Sequence, residues 1–150
     1  MINDVTTDLD HPPEFIEIAK LNPDRDYSYP QKFAVEQKQK YPELKNLIMD
    51  RGLDQRDIVR AVNLLLDENG NWEVVYRSNT RFEAIARTAI LGFKDDIVID
   101  LISGPEGSVT LRMRSKSRVG RSDLGANYRR IKKFFSGLSS TLKAEKATQP

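Results

Sequence analysis

Between Arg112 and Lys133, nine basic side chains (Arg112, Arg114, Lys116, Arg118, Arg121, Arg129, Arg130, Lys132 and Lys133) face a single acid, Asp123. Guanidinium groups bind carboxylates and phosphates through paired, parallel hydrogen bonds, so this density is the raw material of an anion site. Its centre is the run Arg118-Val119-Gly120-Arg121-Ser122-Asp123-Leu124-Gly125-Ala126-Asn127, which joins a strand to a helix. Ser122 and Asp123 are placed to cap that helix, whose first turn offers unpaired backbone N–H groups. Arg118, Arg121, Ser122 and Asn127 are therefore the candidate ligand-binding residues. The competing reading is structural. Asp123 already puts an anion at the helix end, and Arg118 has Asp95 or Asp96 as an ion-pair partner.

Other chemistries find less support. Asp95-Asp96 resembles a carboxylate pair for acid–base work, but adjacent strand residues point to opposite faces. A turn cap plus a cross-strand ion pair is the expected arrangement. Ser115 and Ser122 lack a base, because the only histidine, His11, lies in the acidic N-terminal stretch; a Ser-His-Asp triad is not expected. Asp4, Asp8, Asp10 and His11 match no EF-hand or zinc spacing and read as a solvated loop that binds no metal. Gly104-Pro105-Glu106-Gly107 reads as a hairpin turn, not a phosphate-binding loop, and no cofactor is expected. A basic strand beside a basic helix could track nucleic-acid phosphates. Against that stand the modest pI of 8.8, the acidic N-terminus and the lack of an aromatic stacking ladder on the basic face.

These residues need a frame, and the bulk sequence supplies one. A chain of 150 residues suits a single domain. The composition is that of a soluble globular protein. No run approaches the roughly 18 apolar residues of a membrane-spanning helix, and the absence of cysteine excludes disulfides and thiol chemistry. Residues 1–26 carry seven acids against Lys20 and Arg25, so the chain is acidic at one end and basic towards the other. The first ten residues lack a basic region and an apolar region, so no signal peptide is expected.

Residues 1–50 are punctuated by Pro12, Pro13, Pro23, Pro30 and Pro42 and read as a wrapping arm with one or two short helices, one of them from Pro30 to Lys40. Residues 51–142 form an α-β-β-β-β-α core. Asp54 caps a helix whose stripe is Ile58, Val59, Ala61, Val62, Leu65 and Leu66, ended by a left-handed cap at Asn69-Gly70. Strands are expected at Trp72–Arg77, Arg81–Leu91 (with Phe82, Ala84, Ala86 and Ile90 on one face), Asp96–Ile102 and Ser108–Arg118. The short connections imply an antiparallel meander of four strands with both helices on its apolar face, an α+β fold.

On the last strand Arg112, Arg114 and Lys116 share the polar face. One register sets Asp96 against Arg114; another, two residues along, sets Asp100 against Arg112 and Asp96 against Lys116. In both, acids meet bases across the strands, which makes Asp95, Asp96, Asp100, Arg112 and Arg114 structural ion-pair residues. The final helix starts near Ser122-Asp123 with Leu124, Tyr128, Ile131, Phe134, Phe135 and Leu138 as its stripe, and residues 143–150 read as a flexible tail.

Two stretches, GFKDDIVIDL (Gly92 to Leu101) and RSKSRVGRSDLGANYRRI (Arg114 to Ile131), resemble the bacterial and plant family called "domain of unknown function 1499". NDVTTDLDHPPEF (Asn3 to Phe15) and KYPELKNL (Lys40 to Leu47) look like the arm of one branch of it. The likeness covers nearly the whole chain, and it implies one natural domain and no established activity, substrate or catalytic residue. Relatives in that branch often carry hydrophobic segments ahead of the arm, whereas this sequence begins where the arm starts. That leaves two placements: cytoplasmic for a short soluble version, or membrane- or periplasm-associated for a chain whose anchor was removed.

The functional expectation is a non-enzymatic binding or accessory module that recognises an anionic group, on a small molecule, a lipid headgroup or a protein partner, at the turn 118–127. The alternatives are an enzyme built on an Arg/Asp network, and an electrostatic binder of nucleic acid or an anionic membrane.

Overall fold

Strands rich in β-branched and aromatic residues, joined by short polar turns, pair with their neighbours in sequence before they pair with anything distant. The computed structural model, which describes residues 1–148, follows that logic from residue 72 onward. β3 (Trp72–Arg77), β4 (Arg81–Arg87), β5 (Lys94–Ser103) and β6 (Val109–Ser117) form an antiparallel meander. The sheet, however, has six strands and not four. β1 (Asp4–Thr6) and β2 (Leu47–Ile48), both from the arm, pair antiparallel with the outer edge of β6. An uncovered β6 would present unpaired N–H and C=O groups along its length, and the arm satisfies them.

The β5–β6 register sets Asp100 opposite Arg112, Val98 opposite Arg114 and Asp96 opposite Lys116. The loop that fixes it is closed by the Gly104 N–H donating to the Ser108 carbonyl at 2.7 Å.

One sheet face carries Phe82, Ala84, Ile97, Ile99, Leu111 and Met113, packed beneath two helices. α3 (Gln55–Glu68) contributes Ile58, Ala61, Val62 and Leu66; α4 (Ala126–Thr148) contributes Ile131, Phe134, Leu138 and Leu142. Asp54 caps α3, accepting the Arg56 N–H at 2.8 Å. The arm covers the opposite face. Phe15, Ile18 of α1 (Glu17–Leu21) and Tyr27 pack on Ile85 and Val98, and α2 (Gln31–Lys40) follows beyond Pro30. No helix among the described residues is long and apolar enough to cross a membrane.

Several expected boundaries move. α4 begins at Ala126, because Leu124 (φ 52°) and Gly125 (φ 83°) are left-handed and cannot belong to it. Leu124 is therefore exposed rather than part of the apolar stripe. The helix also continues to Thr148 through residues 143–148 of the expected tail, anchored by buried Leu142 and carried by good helix formers; Gln149 and Pro150 of that tail lie outside the described residues. β4 ends at Arg87, where the Thr88 N–H donates to the Phe93 carbonyl and turns the chain. Ile90, in phase with the strand's apolar face, is thrown outward. α3 ends without a left-handed residue: Asn69 has φ −82°, and its Nδ2 donates to the Leu65 carbonyl instead.

Candidate functional site

The polar face of β6 is buried under the arm. Arg114 is 2% exposed and Asp4 is fully buried, which corrects the reading of Asp4 as part of a solvated loop. Asp4 sits on β1 opposite Lys116, and pairing places its carboxylate beside β6. Arg114 donates from Nε and an Nη to the two Asp4 oxygens at 2.9 and 2.8 Å, and to the Pro13 and Tyr27 carbonyls at 3.0 and 2.8 Å. The guanidinium also lies 4.8 Å from the centroid of the Phe15 ring. Lys116 reaches Asp4 at 3.5 Å, and Arg112 reaches Asp100 at 2.9 Å and the His11 carbonyl at 2.8 Å. Glu83, also fully buried, accepts the N–H groups of Ile16, Glu17 and Ile18 at 2.9–3.2 Å and so ties down the start of α1.

Asp95 and Asp96 lie on opposite faces. Asp96 accepts from Arg118 at 2.7 and 3.0 Å and from the Tyr27 hydroxyl at 2.8 Å, on the arm side. Asp95 pairs with Arg130 of α4 at 2.6 Å, on the helix side. The hydrogen bonds it donates to Asp96 push the Arg118 guanidinium above its ordinary value, and burial, with the hydrogen bond to Asp96, pushes the Tyr27 phenol up to about 12.

The four residues expected to bind an anion do not converge. Arg118 faces the arm side and is engaged by Asp96. Asn127 is buried in the first turn of α4, accepting from Ser115 Oγ and Arg130 at 2.7 Å and donating to Ser117 Oγ at 2.9 Å. Arg121 is exposed and Ser122 half-buried on the loop between them. That loop is stitched to the arm: Asn3 Nδ2 donates to the Gly120 carbonyl at 2.6 Å, and the Asp123 N–H donates to the Ile2 carbonyl at 3.2 Å. The Asp123 carboxylate accepts the Gly125 and Asn127 N–H groups at 2.8 and 3.0 Å, which uses the helix start internally.

The topology assembles a different cluster one helix turn further on. A groove of about 780 Å³ opens between the end of α3, the first half of α4 and the ends of β3 and β4. Trp72 and Phe134 line it, stacked with centroids 5.9 Å apart and planes 13° apart. Its other wall carries Arg87, Arg129, Arg130 and Lys133, with Glu68 as the one acid. Arg130 is held by Asp95, and Arg129 gives one N–H to the Leu124 carbonyl at 3.0 Å. Arg87 and Lys133 are exposed, and among the described residues neither has a salt-bridge partner. Gly137 admits the close approach of α3, since a Cβ there would meet Leu65 at 3.3 Å.

Sequence reasoning placed Arg129, Arg130, Lys132 and Lys133 on the polar face of the last helix, of which all but Lys132 line the groove, but missed Arg87 and Trp72. Only the pairing of Trp72 with Ala86 brings those two beside the helix. A second hollow of about 470 Å³, on the arm side, is lined by Asp10, His11, Glu14, Arg81, Asp100 and Arg112. Burial raises the Asp100 carboxyl above its ordinary value against the pull of Arg112, and the hollow carries three acids against the two arginines Arg81 and Arg112.

The family described as "Protein of unknown function (DUF1499)" matches residues 4–138, a span that includes the arm strand β1. Among solved structures, the chain is similar to protein MLL2253 from Mesorhizobium loti, a structural-genomics target, at 17% identity over 98% of each chain with a TM-score of 0.41. No curated protein matches the chain.

Proposed function

We propose that this chain, which belongs to the DUF1499 family of proteins of unknown function, is a non-enzymatic binding module for an anionic, partly apolar small molecule. The ligand lies in the groove between α3, α4 and the ends of β3 and β4. The observation that carries this reading is the pairing state of the cations. Arg87 and Lys133 stand beside an aromatic floor with no salt bridge among the described residues, whereas the cations of β6 are neutralised by acids. A volume of about 780 Å³ suits a drug-sized molecule. Trp72 and Phe134 supply apolar area, and Arg87 supplies a fork for a carboxylate or phosphate. Arg121, exposed, and Ser122, half-buried, at the neighbouring turn assist the approach of the anion; Arg118 and Asn127 hold the turn in place. Arm and core act as one domain, supported by the pairing of β1 with β6.

The test uses naphthyl phosphate as the probe, with naphthol and inorganic phosphate as controls, read by thermal shift and calorimetry. Naphthyl phosphate is expected to raise Tm by linkage more than either control. Arg87→Gln with Lys133→Gln should abolish that rise and leave the ligand-free Tm in place. An equal rise in the double variant, or no rise in the native protein, overturns the reading.

A further inference from the structure

Two loops leave the sheet at the same end: residues 88–93 between β4 and β5, and residues 118–125 between β6 and α4. The Arg118 N–H donates to the Lys94 carbonyl at 3.1 Å, so the loops start side by side. Thr88, Ala89, Ala126 and Arg129 line one groove, so they also run on together. The loops carry Ile90, Leu91, Phe93, Val119 and Leu124, all exposed. Ile90 at 94% and Leu124 at 83% are the most exposed large apolar side chains among the described residues. Leu124 also holds φ 52°, a conformation that ordinarily goes to glycine or asparagine. Isolated exposed apolar residues are ordinary on a protein surface; five of them on two adjacent loops are not.

The charges around these tips have one dominant sign. Arg87, Lys94, Arg121, Arg129 and Lys133 flank the loops, and among the described residues none of them has a salt bridge. Three acids of the same region face inward, while Glu68 of the groove is exposed: Asp95 and Asp96 are buried against Arg130 and Arg118, and Asp123 caps the Gly125 and Asn127 N–H groups.

We infer that this end of the molecule docks on an anionic bilayer surface. The loop tips enter the boundary between headgroups and acyl chains, and the surrounding cations meet the lipid phosphates. Apolar groups at the tip with cations behind them match the layering of that interface, where binding strength combines buried apolar area with attraction to anionic lipid. A second copy of the chain would instead bring like charges face to face. The inference rests on the loop tips and holds whether or not the groove takes a soluble ligand.

Cosedimentation of the full chain with phosphatidylcholine vesicles, with and without phosphatidylglycerol, tests it. Binding is expected only when phosphatidylglycerol is present. Ile90→Ser combined with Leu124→Asn, both at exposed positions and the second suited to the left-handed backbone, should weaken vesicle binding by about tenfold or more. The same variant should keep its melting temperature and its response to naphthyl phosphate. Equal binding to neutral vesicles, no binding to either, or vesicle binding unchanged in the double variant each overturns the docking surface. So does a concentration-dependent dimer that the double variant abolishes. Vesicle binding without any response to naphthyl phosphate supports the docking surface and removes the groove ligand alone.

Discussion

The arm-covered face of the sheet and the loop end where β4, β5 and β6 meet α4 carry cations of the same kind, yet the fold treats them in opposite ways. On the arm side, Arg112, Arg114, Lys116 and Arg118 each find a carboxylate: Asp100, Asp4, Asp4 and Asp96. At the loop end, Arg87, Lys94, Arg121 and Lys133 find none among the described residues, and apolar side chains are exposed beside them. The difference comes from what the topology delivers. The acidic N-terminal arm folds onto the basic strand, so the lopsided charge of the sequence is largely cancelled where the two ends of the chain meet. At the loop end the arm makes contact through Ile2 and Asn3, which bring no carboxylate. Basic density alone is therefore no guide to a binding site; unneutralised basic density is.

The comparison breaks most visibly at Asp4. Asp4→Ala strips the carboxylate from a guanidinium that is 2% exposed. Removing one partner of a buried pair typically costs about 3–5 kcal/mol. Urea denaturation should show a loss of that order, and a loss below about 1 kcal/mol would mean that the arm side is no tighter than a surface ion pair. Replacing the pair together with Asp4→Val and Arg114→Met should recover part of the loss, because the stranded charge is then gone.

A smaller effect is expected at Glu83. Its carboxylate accepts three N–H groups at the start of α1, and hydrogen bonds to a charged group contribute about 1.5–3 kcal/mol each. Glu83→Gln retains one acceptor oxygen and should cost about 2 kcal/mol. Hydrogen exchange should accelerate at Ile16–Ile18 ahead of the rest of the sheet. Uniform acceleration would show that the arm does not open separately from the core.

What could be read in the sequence divides along the same line. The Asp54 cap, the apolar stripe of α3 and the meander of β3 to β6 follow from local pattern, because each needs only neighbours within about 20 residues. The cross-strand acids and bases were legible as two alternative registers, and the closed loop at Gly104–Ser108 selects one of them. β1 and β2 were not legible: three and two residues cannot display a period of two. Asp4 read as solvated because the arginine that neutralises it lies 110 residues away. The groove failed for a related reason. Arg87 and Lys133 meet only through the sheet register and the packing of α4. Ile90 and Leu124 sat in phase with the stripes of β4 and α4, and turn geometry alone sets them outside.

Tyr27 sharpens the arm side through pH. Burial and the bond to Asp96 hold its phenol neutral up to about 12, against an ordinary value of 10.0. The native state thus keeps a proton that the unfolded chain releases. The resulting stabilisation is complete below about pH 10 and is lost as pH rises through about 12. Tyr29, raised by burial and by the charge of Asp4, acts in the same direction. Tyr27→Phe should cost about 1 kcal/mol near neutrality through the lost hydrogen bond. It should also flatten, without abolishing, the fall in urea midpoint between about pH 10 and about pH 12. An unchanged slope would show that Tyr27 opens to solvent before it ionises.

The smallest expected effect is the most discriminating. Arg87→Gln and Lys133→Gln remove charges that the folded protein does not neutralise, so each should change stability by no more than about 0.5 kcal/mol. Arg112→Gln, on β6 and two strands from Arg87 in the sheet, leaves Asp100 half-buried without its partner and should cost more, about 1–2 kcal/mol. The contrast can be measured in one series of urea titrations. If the loop-end substitutions prove as costly as Arg112→Gln, their cations hold the fold together after all, and the case for a ligand beside Trp72 and Phe134 falls with them. If they raise stability, the reverse holds. Their mutual repulsion is then a strain that the folded chain tolerates in the absence of an anion, and an anion that binds the groove should raise Tm in the native protein more than in either variant.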